Sequence, residues 1–166
     1  ASGVTFNRLT VTNISTNGLH AQYAIRVRGS NNTIANNIIV GQPTRDWWSM
    51  EEDSGINLDG TTGTITANNT LGNNEIYNFS AMGVQIVGSG GTYNAHDNTI
   101  QGNNIHNIRF YAIAKDRSAN QTITGNTLTN IGPSGYAGDG YPAAGVVAWG
   151  VQSTGTMINS QNVNGS

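Results

Sequence analysis

Ile100-Gln101-Gly102-Asn103-Asn104-Ile105 and Ile123-Thr124-Gly125-Asn126-Thr127-Leu128 are one phrase written twice: an apolar residue, two spacers, Asn, one spacer and a second apolar residue. Working outward, the phrase returns as Val4-Thr5-Phe6-Asn7-Arg8-Leu9 and Ile34-Ala35-Asn36-Asn37-Ile38-Ile39. Two copies are altered. Ile65-Thr66-Ala67-Asn68-Asn69-Thr70-Leu71 displaces the second apolar residue by one, and Ile158-Asn159-Ser160-Gln161-Asn162-Val163 replaces the key Asn by Gln. Such recurrence at intervals of 23 to 35 residues marks a repeat architecture rather than a single irregular domain.

A second phrase lies between these copies, Gly or Ala followed by alternating apolar residues: Ala24-Ile25-Arg26-Val27, Gly55-Ile56-Asn57-Leu58, Gly83-Val84-Gln85-Ile86, Ala112-Ile113-Ala114-Lys115 and Gly145-Val146-Val147-Ala148. Both phrases advance together, so each period is one structural unit. The apolar alternation is of period two over three to five residues, with Gly, Asn and Ser between, which makes the unit strand-based. If each unit coils once onto its predecessor, equivalent strands run parallel about 4.8 Å apart and their inward residues form ladders. The chain is thus expected to be all-β, a parallel β-helix solenoid of about five to six rungs spanning 1–166. The recurrent Asn belongs at a bend, where its amide bonds local backbone and its neighbours above and below. That column is expected to hold Asn7, Asn37, Asn68, Asn103, Asn126 and Gln161. A stack exposes strand edges at both ends, and no capping helix is legible, so the chain is expected to be a fragment of a longer protein.

Composition removes several functions. Seven basic residues against nine acids, never in a run, do not build a surface for a nucleic-acid backbone. No apolar run reaches the length of a membrane-spanning helix. The absence of cysteine excludes disulfides and thiolate chemistry. His20, His96 and His106 lack metal-ligand spacing, and Gly88-Ser89-Gly90-Gly91 lacks the Lys of a phosphate-binding loop, so neither a metal nor another cofactor is expected.

The segments joining the two phrases carry the chain's individuality. Residues 41–54 hold Arg45, Asp46, Trp47, Trp48, Glu51, Glu52 and Asp53, and the other corners add Phe79, Arg109, Phe110, Tyr111, Tyr136, Asp139 and Tyr141. Flat rings beside carboxylates, guanidiniums and amides match the apolar faces and hydroxyl rims of sugars, and a long flank suits a polymer. Within the second phrase, taking Ile25, Ile56, Val84, Ile113 and Val146 as inward leaves Arg26, Asn57, Gln85, Ala114 and Val147 outward. Three places on lie Arg28, Asp59, Val87, Asp116 and Trp149. Asp59 and Asp116 fall two rungs apart, about 9.6 Å by strand spacing, close to the separation that leaves room for water in inverting glycoside hydrolysis. They are the candidate catalytic pair. Arg28, Trp47, Trp48, Glu51, Arg109, Tyr111, Arg117 and Trp149 are the candidate substrate-binding residues, with Arg28 placed for a carboxylated or phosphorylated sugar. Against the pair stands the habit of Asp at strand ends of bonding local backbone. Lys115 falls on the inward phase, where an ammonium is costly.

The repeating Asn-x-Ile and Gly-Ile-x-Leu phrases resemble the right-handed parallel β-helix superfamily of polysaccharide-active proteins, which includes phage tailspike depolymerases and pectin- and alginate-active enzymes. The resemblance covers all six Asn phrases and implies a polysaccharide partner, an extracellular, cell-surface or virion location and, by the tailspike likeness, a homotrimer. It implies either a glycoside-hydrolysing domain or a non-catalytic carbohydrate-binding or structural one. Pectate-lyase-like sites use clustered calcium-binding acids, whereas here the acids alternate with Asn57, Gln85 and Val87.

Overall fold

The computed structural model describes residues 2–12, 23–41, 54–61, 63–89, 93–132, 144–149, 157–159 and 162–164. Their short strands run in the order the repeat dictates and stack into three deep sheets, with Thr66–Ala67 and Ala95–His96 pairing as a fourth, two-stranded one. The first sheet stacks Thr5–Asn7, Thr33–Ala35, Thr70–Gly72, Thr99–Gln101, Thr122–Thr124 and Met157–Asn159. The second stacks Tyr23–Val27, Ser54–Gly60, Met82–Gly88, Tyr111–Asp116 and Ala144–Trp149. The third stacks Thr10–Thr12, Ile38–Val40, Glu75–Phe79, Asn104–Ile108, Thr127–Ile131 and Asn162–Asn164. Every paired neighbour is parallel, so the chain is a parallel β-helix whose three deep sheets hold six, five and six strands.

The inward ladder falls where the alternation puts it. Ile25, Ile56, Val84, Ile113 and Val146 are in register along the second sheet. Ile34, Leu71, Ile100 and Ile123 face them from the first sheet, and Ile39, Ile76, Ile105 and Leu128 from the third, all essentially without solvent exposure. Burying a side chain of this size contributes roughly 1.5–3 kcal/mol, and the ladder repeats that contribution at each rung.

The corner between the first and third sheets explains the Asn phrase. Asn36, Asn73, Gly102 and Gly125 hold positive φ angles of 56°, 53°, 64° and 63°, a left-handed bend that Gly and Asn tolerate. The next residue is the buried one: Asn37, Asn74, Asn103 and Asn126 form a continuous amide ladder. The Oδ1 atoms of Asn74, Asn103 and Asn126 each accept from the backbone N–H and the Nδ2 of the Asn one coil earlier, that of Asn37 accepts the Leu9 backbone N–H, and each Nδ2 also donates to a backbone carbonyl of the earlier coil. No polar atom of Asn74 or Asn103 is left over, which is the condition for burying an amide at little cost. The steps along this ladder are 37, 29 and 23 residues, absorbed by loops of different length.

Here the structure corrects the expected column. Asn7 and Asn68 are not in it. The register Phe6↔Ile34 puts Leu9, not Asn7, at the ladder position, and Asn7 instead accepts from Asn36 Nδ2 at the exposed corner. In the third period the true phrase is Leu71-Gly72-Asn73-Asn74-Glu75-Ile76, and Asn68 is a bend residue with φ 54°. A second buried ladder, unforeseen from the sequence, runs through Asn32, Asn69 and Asn98, with Gln121 in the next period donating to the Ala95 carbonyl. Its signal was available: an amide residue followed by Thr and Ile or Leu precedes each central phrase.

Candidate functional site

The outer face of the second sheet carries a groove of about 550 Å³. Its lining follows from strand parity. Arg26, Asn57, Gln85 and Ala114 stand in one outward column, and Asp59, Val87 and Asp116 in the next, with Thr61, Tyr23, Tyr111, Phe110 and Arg117 around them. The projected stacking of Asp59, Val87, Asp116 and Trp149 is the observed register.

Asp59 is almost fully buried, at 1% exposure, and every side of its carboxylate is used. Oδ1 accepts the Thr61 backbone N–H at 2.8 Å and the Thr61 hydroxyl. Oδ2 accepts Arg26 Nε at 2.8 Å and Arg28 Nε at 2.6 Å. Burial alone would raise its pKa, but the bonds from Thr61, Arg28 and Arg26 outweigh it and hold Asp59 at about 2, against an ordinary 3.8. Two guanidiniums share the one carboxylate, and both arginine side chains remain well exposed, at 37% and 41%. A calcium ion at Asp59 would have to displace both.

The depressed pKa has a sign. The stabilisation is fully present above the unfolded value near 3.8 and is lost as pH falls through the folded value near 2. Wild-type protein should therefore lose up to about 2 kcal/mol between pH 4 and 2 relative to Asp59→Asn, a loss trimmed by the exposure of the arginines. Paired thermal melts across that window check it; parallel pH profiles would show that the cluster does not stabilise the fold.

The other candidates divide. Asp116 pairs with its neighbour Arg117, Nε to Oδ2 at 2.8 Å, at the groove's far side. Tyr111 lines the groove. Arg109, 9% exposed, lies over the Phe110 ring at 5.1 Å, at the corner rather than in the groove lining. The backbone of Trp149 pairs with Asp116. Trp47, Trp48 and Glu51 lie outside the described residues. Lys115 is inward as its phase demanded, 1% exposed in the register of Ile86, and burial pushes its pKa down. Phe79, expected on the outward aromatic flank, is a core residue at 1% exposure. Sequence reasoning placed Arg26, Asn57 and Gln85 outward without giving them a role, yet Asn57 Nδ2 bonds Gln85 Oε1 at 2.7 Å on the groove floor and Arg26 grips Asp59.

A family model described as the right handed beta helix region matches residues 1–162. The chain belongs to the right-handed β-helix family. Among solved structures, this β-helix resembles the periplasmic alginate epimerase AlgG, with a TM-score of 0.50 and 13% sequence identity over 95% of the present chain and 42% of that one. The chain thus spans less than half the length of that enzyme, and at this identity the likeness is one of fold, a fold shared with a polysaccharide-active protein. Among curated proteins none matches the chain. Among the described residues of this β-helix family member, the second-sheet groove is a concave site in which buried charge and a polar floor converge.

Proposed function

We propose that this β-helix binds an acidic polysaccharide along the second-sheet groove, meeting it outside the cytoplasm or at a cell or virion surface. The observation that carries the reading is the Arg26–Asp59–Arg28 cluster: a buried carboxylate orients two guanidiniums that stay partly exposed at one end of the groove. Planar guanidiniums suit a sugar carboxylate, and the Asn57–Gln85 amide pair suits hydroxyls beside it. The likeness to an alginate epimerase, an enzyme whose substrate is a polyuronate, supports the same ligand class.

Hydrolysis by the Asp59 and Asp116 pair is the finer alternative. An inverting mechanism needs one protonated carboxyl and one carboxylate with room for water. Asp59 at a pKa of about 2 holds no proton near neutrality, and its oxygens are engaged by Thr61, Arg26 and Arg28. These facts favour binding over turnover at this pair.

Calorimetry with a polyuronate and a neutral glucan, run beside a reducing-end assay, tests the proposal. The expected result is polyuronate binding that weakens with salt and falls about tenfold in Arg28→Gln, which leaves Asp59 its Arg26 and Thr61 partners. Equal affinity for the neutral glucan would contradict it. Release of reducing ends that disappears in Asp116→Asn would replace it with the hydrolytic reading.

A further inference from the structure

The amide pair on the groove floor has a direction. Asn57 Nδ2 donates to Gln85 Oε1 at 2.7 Å, which uses Gln85's acceptor and leaves its Nε2 as what that residue offers. Asn57 is 2% exposed and its Oδ1 is sealed without a partner, whereas Gln85 is half-buried and lines the groove. Turned round, with Gln85 Nε2 donating to Asn57 Oδ1, the pair would seal an unpartnered NH2 group instead, and a buried orphan donor is rarer than an orphan carbonyl. The register also puts Asn57 between Gln85 and Arg26, and the Arg26 guanidinium favours an oxygen on its side.

Arg26 engages Asp59 through Nε and Nη2, and its side chain stays 37% exposed with Nη1 clear of that carboxylate. The outward column therefore presents N–H donors at Arg26 and at Gln85, two rungs and about 9.6 Å apart by strand spacing, with the sealed Asn57 between them. Beyond Gln85 the column continues as Ala114, whose side chain offers no hydrogen bond. Each sugar of an extended (1→4)-β-linked chain advances by about one rung, and successive units turn over, so a substituent returns to the same side at every second sugar.

We infer that Gln85 is a specificity-determining residue: its Nε2 donates to the carboxylate two sugars along from the one at Arg26, and Asn57 positions it by holding Oε1. The groove thereby takes a uronate trimer, not a dimer, as its smallest full ligand. The inference rests on the binding reading above and refines the part given there to the amide pair.

The test is calorimetry with (1→4)-β-linked uronate dimer, trimer and polymer. A hydrogen bond to a charged group should make the trimer bind about tenfold more tightly than the dimer. Gln85→Glu keeps an oxygen for Asn57 Nδ2 but sets a carboxylate against the third sugar, and should bring that ratio to about one. On the wild-type chain, the Gln85 Nε2–H resonances should shift with the trimer and stay in place with the dimer, a readout that does not depend on the variant folding. Equal affinity for dimer and trimer, an undiminished ratio in a folded Gln85→Glu protein, or Gln85 resonances unmoved by bound trimer would each overturn this inference and leave the Arg26 and Arg28 reading standing. If neither the oligomers nor the polymer bind, the reading of the groove as an acidic-polysaccharide site falls with it.

Discussion

Asn103→Ala should lower the unfolding free energy by about 3–5 kcal/mol, a large part of the 5–15 kcal/mol typical of a domain. Asn103 Oδ1 accepts the Asn74 backbone N–H at 2.9 Å and Asn74 Nδ2 at 3.0 Å, and its own Nδ2 donates to the Leu71 carbonyl at 3.0 Å and Asn126 Oδ1 at 2.9 Å. Alanine removes all four bonds, strands two donors on Asn74 and leaves the Leu71 carbonyl without its amide. Each buried group left unsatisfied costs roughly 1–3 kcal/mol, and the backbone N–H of residue 103 can still reach Asn126, which keeps the sum below the full total. Asn104→Ala, one residue on and exposed, should change stability by no more than about 0.5 kcal/mol. Urea denaturation of the two variants measures the contrast. Equal and small losses would mean that the ladder is decoration on a stack held by its apolar interior.

Phe79→Ala should cost a similar amount, about 3–5 kcal/mol, by opening a cavity at the corner between the third and second sheets. Phe79 is among the largest fully buried side chains, with Ile108 beneath it in register and Ile131 beyond. The surroundings are cut to its ring. A Cβ added at Gly41 would stand 2.7 Å from the ring and one at Gly55 3.1 Å, and both would also run into backbone carbonyls, so the two glycines make the space Phe79 fills. Chemical denaturation should show the midpoint falling with the slope unchanged. A loss under about 1 kcal/mol would place the ring outside the core.

Phe79 also shows where the sequence could be read and where it could not. Within one strand, parity is reliable, and it placed Ile25, Ile56, Val84, Ile113 and Val146 correctly along the second sheet. Across a left-handed residue parity resets. Asn78, Asn107 and Asn130 have φ of 63°, 54° and 51°, so the residues after them, Phe79, Ile108 and Ile131, turn toward the core instead of continuing the alternation. The Asn ladder was misassigned in two periods for a different reason: with 24 asparagines in 166 residues, a bend Asn such as Asn68 and a ladder Asn such as Asn74 look alike until strand register separates them. At the site, the Asp59 and Asp116 column was legible because both follow the inward ladder by a fixed offset. The sealing of Asp59 was not, because its partners Arg26 and Arg28 come from the preceding coil, 33 and 31 residues away, and the reach of a side chain between rungs has no sequence signal.

The exposed guanidiniums of that cluster are what a ligand would meet first, and their resonances report on it. Titrating the labelled protein with a polyuronate while following arginine Nε–H resonances by NMR tests the account most directly. Arg26 and Arg28 should shift saturably at the calorimetric affinity, while Arg8, at an exposed bend by the first sheet, stays in place. Saturable binding of the polymer that leaves Arg26 and Arg28 unmoved would contradict it.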